Sequence, residues 1–207
     1  MTMQLGQPVL ENGFVRLEPM AEVHREDFRA ACNLDETTWV ALYPYSWAGE
    51  HFAPGWARLQ ADIAADRFRP YAVVVDGRCA GITGYLSPDE GNGTVEIGGT
   101  GYRPDLRGGP VNPAAKRLLL AHVFASGARR VQFKVDAINA RSRAAVLKLG
   151  AVQEGFLRQD RVTWTGRVRD TVYFSILQDE WPAVRERLDA RLSACEPEPT
   201  PESTHAV

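Results

Sequence analysis

Residues 95–113 read VEIGGTGYRPDLRGGPVNP, and this stretch decides the fold because it passes from a strand pattern to a helix start. Val95 and Ile97 alternate with Glu96, which predicts a strand with two buried side chains on one face and a carboxylate on the other. The glycine pair that follows predicts a β-bulge, or a place where a ligand or another chain meets the strand edge. Glu96 is therefore a candidate site carboxylate, although a cross-strand ion pair, taken alone, explains it somewhat better.

The next part of the stretch is a glycine-rich loop before a helix. Asn112 is a favoured N-cap residue, and Pro113 suits the first helical turn because its missing N–H would have no partner there. Gly108 and Gly109 let the backbone approach a ligand, while the helix start offers unpaired N–H groups and a positive dipole end. A phosphate suits this site, and Arg107 is placed to pair with it. A surface turn before a capped helix fits the same residues.

A second helix start lies at Asn139, in the sequence NARSRAAVLKLG. Positions 142, 145, 146 and 149 fall on one helical face, and Gly150 is placed to end the helix. Asn139 suits the N-cap position and Ser142 lies about one turn inside the helix. Capping alone explains both residues structurally.

The composition limits the classes of protein to which the chain can belong. The chain has 207 residues, 44% hydrophobic and 24% charged, with a net charge of −2. These values predict one globular domain and give no reason to expect nucleic acid. No apolar run approaches the roughly 20 residues needed to span a bilayer, so we expect a cytoplasmic protein with no membrane partner. The three cysteines and four histidines lack metal-ligand spacing, which predicts no metal site.

The rest of the chain predicts strands in a meander, then alternating strands and helices, so we expect an α/β domain with one mixed sheet flanked by helices on both faces. Asp76-Gly77 is typical of a tight hairpin turn. The aromatic-rich segment 39–56 predicts short helices and loops. Its aromatic side chains fit either core packing or one wall of a substrate site. Residues 195–207, rich in proline and glutamate, predict a disordered tail.

The three segments together, in this order and spacing, resemble the GNAT superfamily of acyl-CoA-dependent N-acyltransferases. The resemblance covers about residues 14–181, so residues 1–194 are expected to form a single GNAT-like N-acetyltransferase domain. Two further stretches are similar to the branch that contains ribosomal-protein N-terminal acetyltransferases: Glu154-Gly155-Phe156-Leu157-Arg158 and Arg169-Asp170-Thr171-Val172.

The resemblance implies a V-shaped opening between the strand that carries Glu96 and the strand at residues 131–135, with acetyl-CoA as co-substrate lying in it. Glu96 would be the general base, acting through water, and Ser142 would lie near the thioester sulfur. The implied CoA-binding residues are Arg107, Gly108, Gly109, Val111 and Asn112 for the pyrophosphate, and Asn139 for the pantetheine.

Two positions depart from the family pattern. Many members carry a tyrosine acid where this chain has Val146, which leaves the general acid open. Pro110 removes one backbone donor from the loop, which leaves the geometry of CoA binding open. The resemblance does not distinguish a protein N-terminus from a small antibiotic-like amine as the acceptor. It is also compatible with a homodimer. A non-catalytic acyl-CoA-binding module is the alternative from another functional class.

Overall fold

The structure is a computed structural model that describes residues 2–195, so the predicted tail beyond Cys195 lies outside the described residues. The strands are β1 (Leu10–Glu11), β2 (Arg16–Pro19), β3 (Phe68–Val75), β4 (Arg78–Asp89), β5 (Thr94–Tyr102), β6 (Arg130–Asp136), β7 (Val152–Val162) and β8 (Val168–Leu177). The α-helices are α1 (Arg25–Asn33), α2 (Glu36–Leu42), α3 (Phe52–Ala64), α4 (Val111–Ala125), α5 (Ala140–Leu149) and α6 (Trp181–Ser193).

All eight strands form one mixed sheet in the order β1-β2-β3-β4-β5-β6-β8-β7. The β5–β6 pair is parallel, whereas the other neighbouring pairs are antiparallel. The predicted turn between β3 and β4 is confirmed: Asp76 and Gly77 both have positive φ, at 51° and 73°, as the tightest hairpin turns require. The predicted α/β class is confirmed as well.

Two separate cores pack against the two faces of the sheet. On one face, Val95 and Ile97 are buried with aliphatic residues of α4 and α6. On the other face, an aromatic core from α1 to α3 packs against β3 and β4 and includes Phe28, Trp47 and Phe52. The predicted placement of helices on both faces is therefore confirmed. Glu96 projects from β5 on the face opposite to Val95 and Ile97.

The predicted start of α4 is wrong by two residues. The helix begins at Val111, and Pro110 rather than Asn112 is its N-cap. The physical reason is that Pro110 already has φ −74°, and its carbonyl accepts the Ala114 N–H at 2.9 Å. Asn112 lies in the first turn instead, where its Oδ1 accepts a hydrogen bond from the Tyr102 hydroxyl at 3.2 Å.

The predicted ends of α5 are confirmed. Asn139 is the N-cap, and its Oδ1 accepts a hydrogen bond from the Ser142 N–H at 3.0 Å. At the other end Gly150 adopts φ 99°, the left-handed conformation that glycine accepts without a steric penalty. The sequence therefore fixes the position of α5 at both ends.

Candidate active site

A cleft opens where β5 and β6 separate. The two strands pair only between Thr94–Glu96 and Arg130–Gln132, although β5 continues to Tyr102 and β6 to Asp136. Beyond Glu96 the facing edges of β5 and β6 have no strand partner within residues 2–195, which leaves backbone N–H and C=O groups available to a ligand. The expected V-shaped opening is thus present, and Glu96 lies at its base.

The wall of this cleft on β5 contains the predicted bulge. Gly98 pairs with Gly84 and Gly101 with Ile82, so two residues of β5, Gly99 and Thr100, lie opposite one residue of β4. Gly99 has φ 61°, and a Cβ there would lie 2.6 Å from the Phe68 ring. Both conformation and packing therefore require glycine at position 99.

The loop before α4 offers a set of free backbone donors. Within the described residues, no hydrogen-bond acceptor is found for the N–H groups of Gly108, Gly109, Val111 and Asn112. A Cβ at Gly108 would meet nothing within 4 Å, and one at Gly109 would meet only the Leu106 carbonyl at 3.6 Å. The donors thus line an open surface at a helix N-terminus, and they fit the pyrophosphate of CoA. Pro110 contributes no donor, but its carbonyl starts the helix.

Arg107 is held away from this role by its own contacts. Its guanidinium pairs with the Asp35 carboxylate at the start of α2 and donates to the Thr38 hydroxyl at 3.2 Å and the Tyr102 carbonyl at 3.0 Å. Hydrogen bonds from Thr38, Thr37 and Arg107 hold the pKa of Asp35 well below its usual range. The predicted pairing of Arg107 with a phosphate would require the guanidinium to leave Asp35.

Glu96 binds a primary ammonium group in the structure. Its side chain is only 12% exposed, and Oε2 lies 2.8 Å from Nζ of Lys134 on β6. Burial disfavours the charged form of Lys134, but the hydrogen bond and charge of Glu96 outweigh it and raise the pKa of Lys134. The alternative interpretation of Glu96 as a cross-strand ion-pair partner is therefore observed. The same geometry shows that this carboxylate accepts an alkylammonium ion.

The start of α5 leaves two polar groups available. Asn139 uses its side-chain oxygen for the cap, and within residues 2–195 neither its amide nitrogen nor the Ser142 hydroxyl has a protein partner. Val146, at the position where many family members have a tyrosine, is buried in the core. Ser142 is thus the polar side chain that α5 can offer at the predicted thioester end.

Sequence reasoning did not predict the contacts of the aromatic-rich segment. Burial raises the pKa of Tyr45, and the Arg58 guanidinium of α3 lies over the Tyr45 ring, 5.1 Å from its centroid. Trp39 and Trp47, two candidates for the acceptor wall, are core residues with 5% exposure each. The aromatic-rich segment did contain Tyr45, but no local pattern indicated that Arg58 would cover its ring.

The β7–β8 hairpin reaches across to the segment between α2 and α3. The Trp164 backbone N–H donates to the Pro44 carbonyl at 3.2 Å, and its indole N–H donates to the Trp39 carbonyl at 3.2 Å. The Trp164 ring also contacts His51, with 4.6 Å between the ring centroids. The two segments therefore close one side of the region around Tyr45.

Two kinds of feature are absent from residues 2–195. None of their helices has the length and apolar character needed to cross a membrane. Their histidine, cysteine, aspartate and glutamate side chains form no group of three or more that could hold a metal ion.

Comparison with known proteins gives a family and several similar structures. Residues 15–152 match the family model described as an acetyltransferase (GNAT) domain. A GCN5-related N-acetyltransferase from Brucella melitensis is 29% identical, with 96% of this chain and 95% of that chain covered and a TM-score of 0.85. A structure from T. thermophilus, of a protein classed with the acetyltransferases, is 34% identical, with 92% and 100% covered and a TM-score of 0.82.

A more distant structure shows the fold alone. Mycobacterium smegmatis RimJ, in complex with CoA-disulfide, is 22% identical, with 89% of this chain and 93% of that chain covered and a TM-score of 0.75. No curated protein sequence matches the chain at a significant level.

Proposed function

Because the chain belongs to the GNAT acetyltransferase family and is an acyltransferase, we propose that it moves an acetyl group from acetyl-CoA directly to a primary amine. One observation carries the proposal. The β5–β6 cleft opens at Glu96, and β5 then leads directly into the loop whose N–H groups at residues 108–112 have no acceptor among the described residues. A carboxylate and a set of free backbone donors suited to an anion thus lie at the two ends of one strand segment.

The binding roles divide between backbone and side chains. The loop N–H groups of Gly108, Gly109, Val111 and Asn112 would hold the pyrophosphate, with the α4 dipole adding to their effect. The facing edges of β5 and β6 would bind the pantetheine in the manner of an added strand. The free amide nitrogen of Asn139 would donate to the same arm. In this assignment Arg107 positions the loop by holding it to Asp35.

The chemical roles follow from the charges that the reaction must move. An ammonium ion has no lone pair, so one proton must leave before the nitrogen can form a bond to the acyl carbon. Glu96 would take this proton, directly or through water, and its 2.8 Å contact with Lys134 supports ammonium binding at this carboxylate. The N–H groups of the bulge at Gly98–Thr100 would stabilise the oxyanion. As the C–S bond breaks, the Ser142 hydroxyl would pass a proton to the sulfur, and the second proton that the amine nitrogen loses as the amide forms would restore the hydroxyl.

The proposed acceptor is the N-terminal amine of a protein. Its support is the sequence likeness at residues 154–158 and 169–172 to the ribosomal-protein branch. Because the described cysteines are all free thiols, the reaction is also proposed to take place in the reducing cytoplasm.

A thiol-release assay with acetyl-CoA and a panel of amines tests this function. The panel should contain peptides with free N-termini, the same peptides with blocked N-termini, and small polyamines and aminoglycosides. We expect thiol release with free N-termini and none with blocked ones. Turnover with the small amines alone would replace the proposed acceptor by a small molecule. Binding of acetyl-CoA without turnover of any amine would indicate a non-catalytic module.

A further inference from the structure

Lys116 on α4 is a buried lysine that the proposed mechanism does not use. It is 5% exposed, and its Nζ lies 2.9 Å from the Thr83 hydroxyl and 2.7 Å from the Thr100 hydroxyl. Within residues 2–195 no carboxylate lies within 4.0 Å of this nitrogen. Burial lowers the pKa of Lys116 to about 7. The side chain is therefore a buried amine whose partners are two neutral hydroxyl groups.

The hydrogen bonds around Lys116 have one consistent direction. A charged Nζ is a hydrogen-bond donor and never an acceptor, so both threonine hydroxyls accept from it. The Thr83 hydroxyl can then donate to Thr100 at 2.8 Å, and the Thr100 hydroxyl reaches the Gly98 carbonyl at 3.5 Å. The chain of donors thus starts at Lys116 and ends on the backbone of the β5 bulge.

The bulge is held from two sides. Lys116 holds the side chain of Thr100 from α4, and the Tyr43 hydroxyl donates to the Thr100 carbonyl at 2.7 Å from the end of α2. α4 is also the helix whose first turn carries the free N–H donors of the proposed pyrophosphate site. Lys116 therefore connects that helix to the strand segment proposed to face the acyl carbonyl.

A lysine at position 116 is not expected to stabilise the fold. Burying a charged group without a paired charge is costly, and a methionine has similar length and would fill the site with apolar atoms. The polar groups that Lys116 binds are instead the ones that shape the bulge.

We propose that Lys116 is a positioning residue of acetyl transfer, which fixes the Gly98–Thr100 bulge so that its backbone N–H groups meet the acyl carbonyl. The proposal rests on the proposed function. Lys116 would act through Thr83 and Thr100 and would not touch the reacting atoms. Its removal should therefore affect the rate of transfer more than the binding of acetyl-CoA.

Steady-state kinetics of Lys116→Met test this role. We expect kcat to fall by about tenfold to a hundredfold, because a small misplacement of the groups around a reacting centre has effects of this size. The KM for acetyl-CoA should change less than about threefold, and thermal stability should stay equal or rise. Lys148→Met, at an exposed position on α5, is the matched control and should leave kcat unchanged.

A double-mutant cycle separates positioning from simple packing. Thr100→Val removes the linking hydroxyl with little change of shape, so Lys116→Met should lower kcat much less in the Thr100→Val background than in the wild type. Full additivity of the two effects, a wild-type kcat in Lys116→Met, or a kcat loss that only follows the loss of folded protein would overturn the proposal.

An NMR titration tests whether Lys116 controls the bulge without relying on acetyl transfer. If the wild type acetylates no amine in the panel, the proposed function fails, but this test of Lys116 still applies. In the wild type the amide resonances of Gly98, Gly99 and Thr100 should shift together, with a midpoint near the pKa of Lys116. In Lys116→Met that titration should be absent. Amide resonances that titrate identically in both proteins would show that Lys116 does not control the bulge.

Discussion

The two sides of the cleft are built in opposite ways. On the side of α4, the loop at residues 107–112 leaves backbone donors without acceptors among the described residues and has open space around its glycines. On the side of α2 and α3, the aromatic rings pack against one another and against the sheet. Trp39, for example, is buried, lies 4.4 Å from the Tyr43 ring and donates to the Cys32 carbonyl at 3.0 Å.

This difference shows which residues maintain the fold and which are free to serve a ligand. A side chain added at Gly109 enters open space, so it should alter binding without altering stability. A ring removed from the aromatic core leaves a cavity, so it should alter stability first. The glycines of β5 belong to the second group, because Gly99 and Gly101 allow Phe68 and Trp39 to approach the strand.

The largest expected effect is on the stability of Trp39→Ala. The substitution removes a buried indole and its hydrogen bond, so the free energy of unfolding should fall by about 3–5 kcal/mol. Urea denaturation measures this change. The matched control is Trp164→Ala, which removes a ring that is 38% exposed and should cost clearly less. A stable Trp39→Ala protein with a raised acceptor KM would instead make Trp39 part of the acceptor wall.

A smaller effect is expected from the titration of Lys116. Because burial lowers its pKa from 10.5 to about 7, the unfolded chain binds more protons than the folded one between these values. Stability should therefore rise with pH over this window, by up to about 1.4 kcal/mol per pH unit. Between pH 7 and 9 the wild type should gain roughly 2 kcal/mol relative to Lys116→Met.

Urea denaturation of both proteins at each pH measures this difference, in which groups that titrate equally in the two proteins cancel. Equal pH dependence in wild type and variant would mean that Lys116 has an ordinary pKa in the folded protein. In that case the buried amine of α4 would not have a lowered pKa.

The smallest of these effects is on acetyl-CoA affinity in Gly109→Glu. The new carboxylate would repel the pyrophosphate, so the Kd should rise roughly tenfold or more, which corresponds to about 1.4 kcal/mol. Thermal stability should not change, because a Cβ at this position meets only the Leu106 carbonyl at 3.6 Å. Calorimetry gives the Kd, and Gly109→Ala is the uncharged control. An unchanged Kd would place the phosphates elsewhere.

Local patterns were sufficient to predict much of the fold. The turn at Asp76-Gly77, the ends of α5 and the bulge after Glu96 each depend on neighbouring residues, so their signals lie in the sequence itself. The start of α4 was misplaced because Asn112 and Pro110 are both suited to the first turn of a helix. The aromatic-rich segment was predicted to form short helices and loops because of its proline and glycine residues, but α3 begins in it at Phe52 and runs for thirteen residues through Pro54 and Gly55.

The contacts of the site could not be predicted in the same way. Asp35 binds Arg107, and Lys134 binds Glu96, across 72 and 38 positions of the chain respectively, and no local periodicity encodes such pairs. Lys116 falls within an apolar helical pattern, where a lysine predicts an exposed side chain. Only the packing of α4 beneath the bulge shows that it is buried and which hydroxyls it meets.

The most direct test of the central claim is single-turnover acetyl transfer by Glu96→Gln. This change keeps the shape of the side chain and removes its ability to accept a proton, so the chemical step should slow by roughly a hundredfold or more while acetyl-CoA binding changes little. Glu154→Gln, which also removes a carboxylate paired with an arginine, should transfer acetyl at the wild-type rate. Near-normal turnover in Glu96→Gln would contradict the assignment of Glu96 as the base.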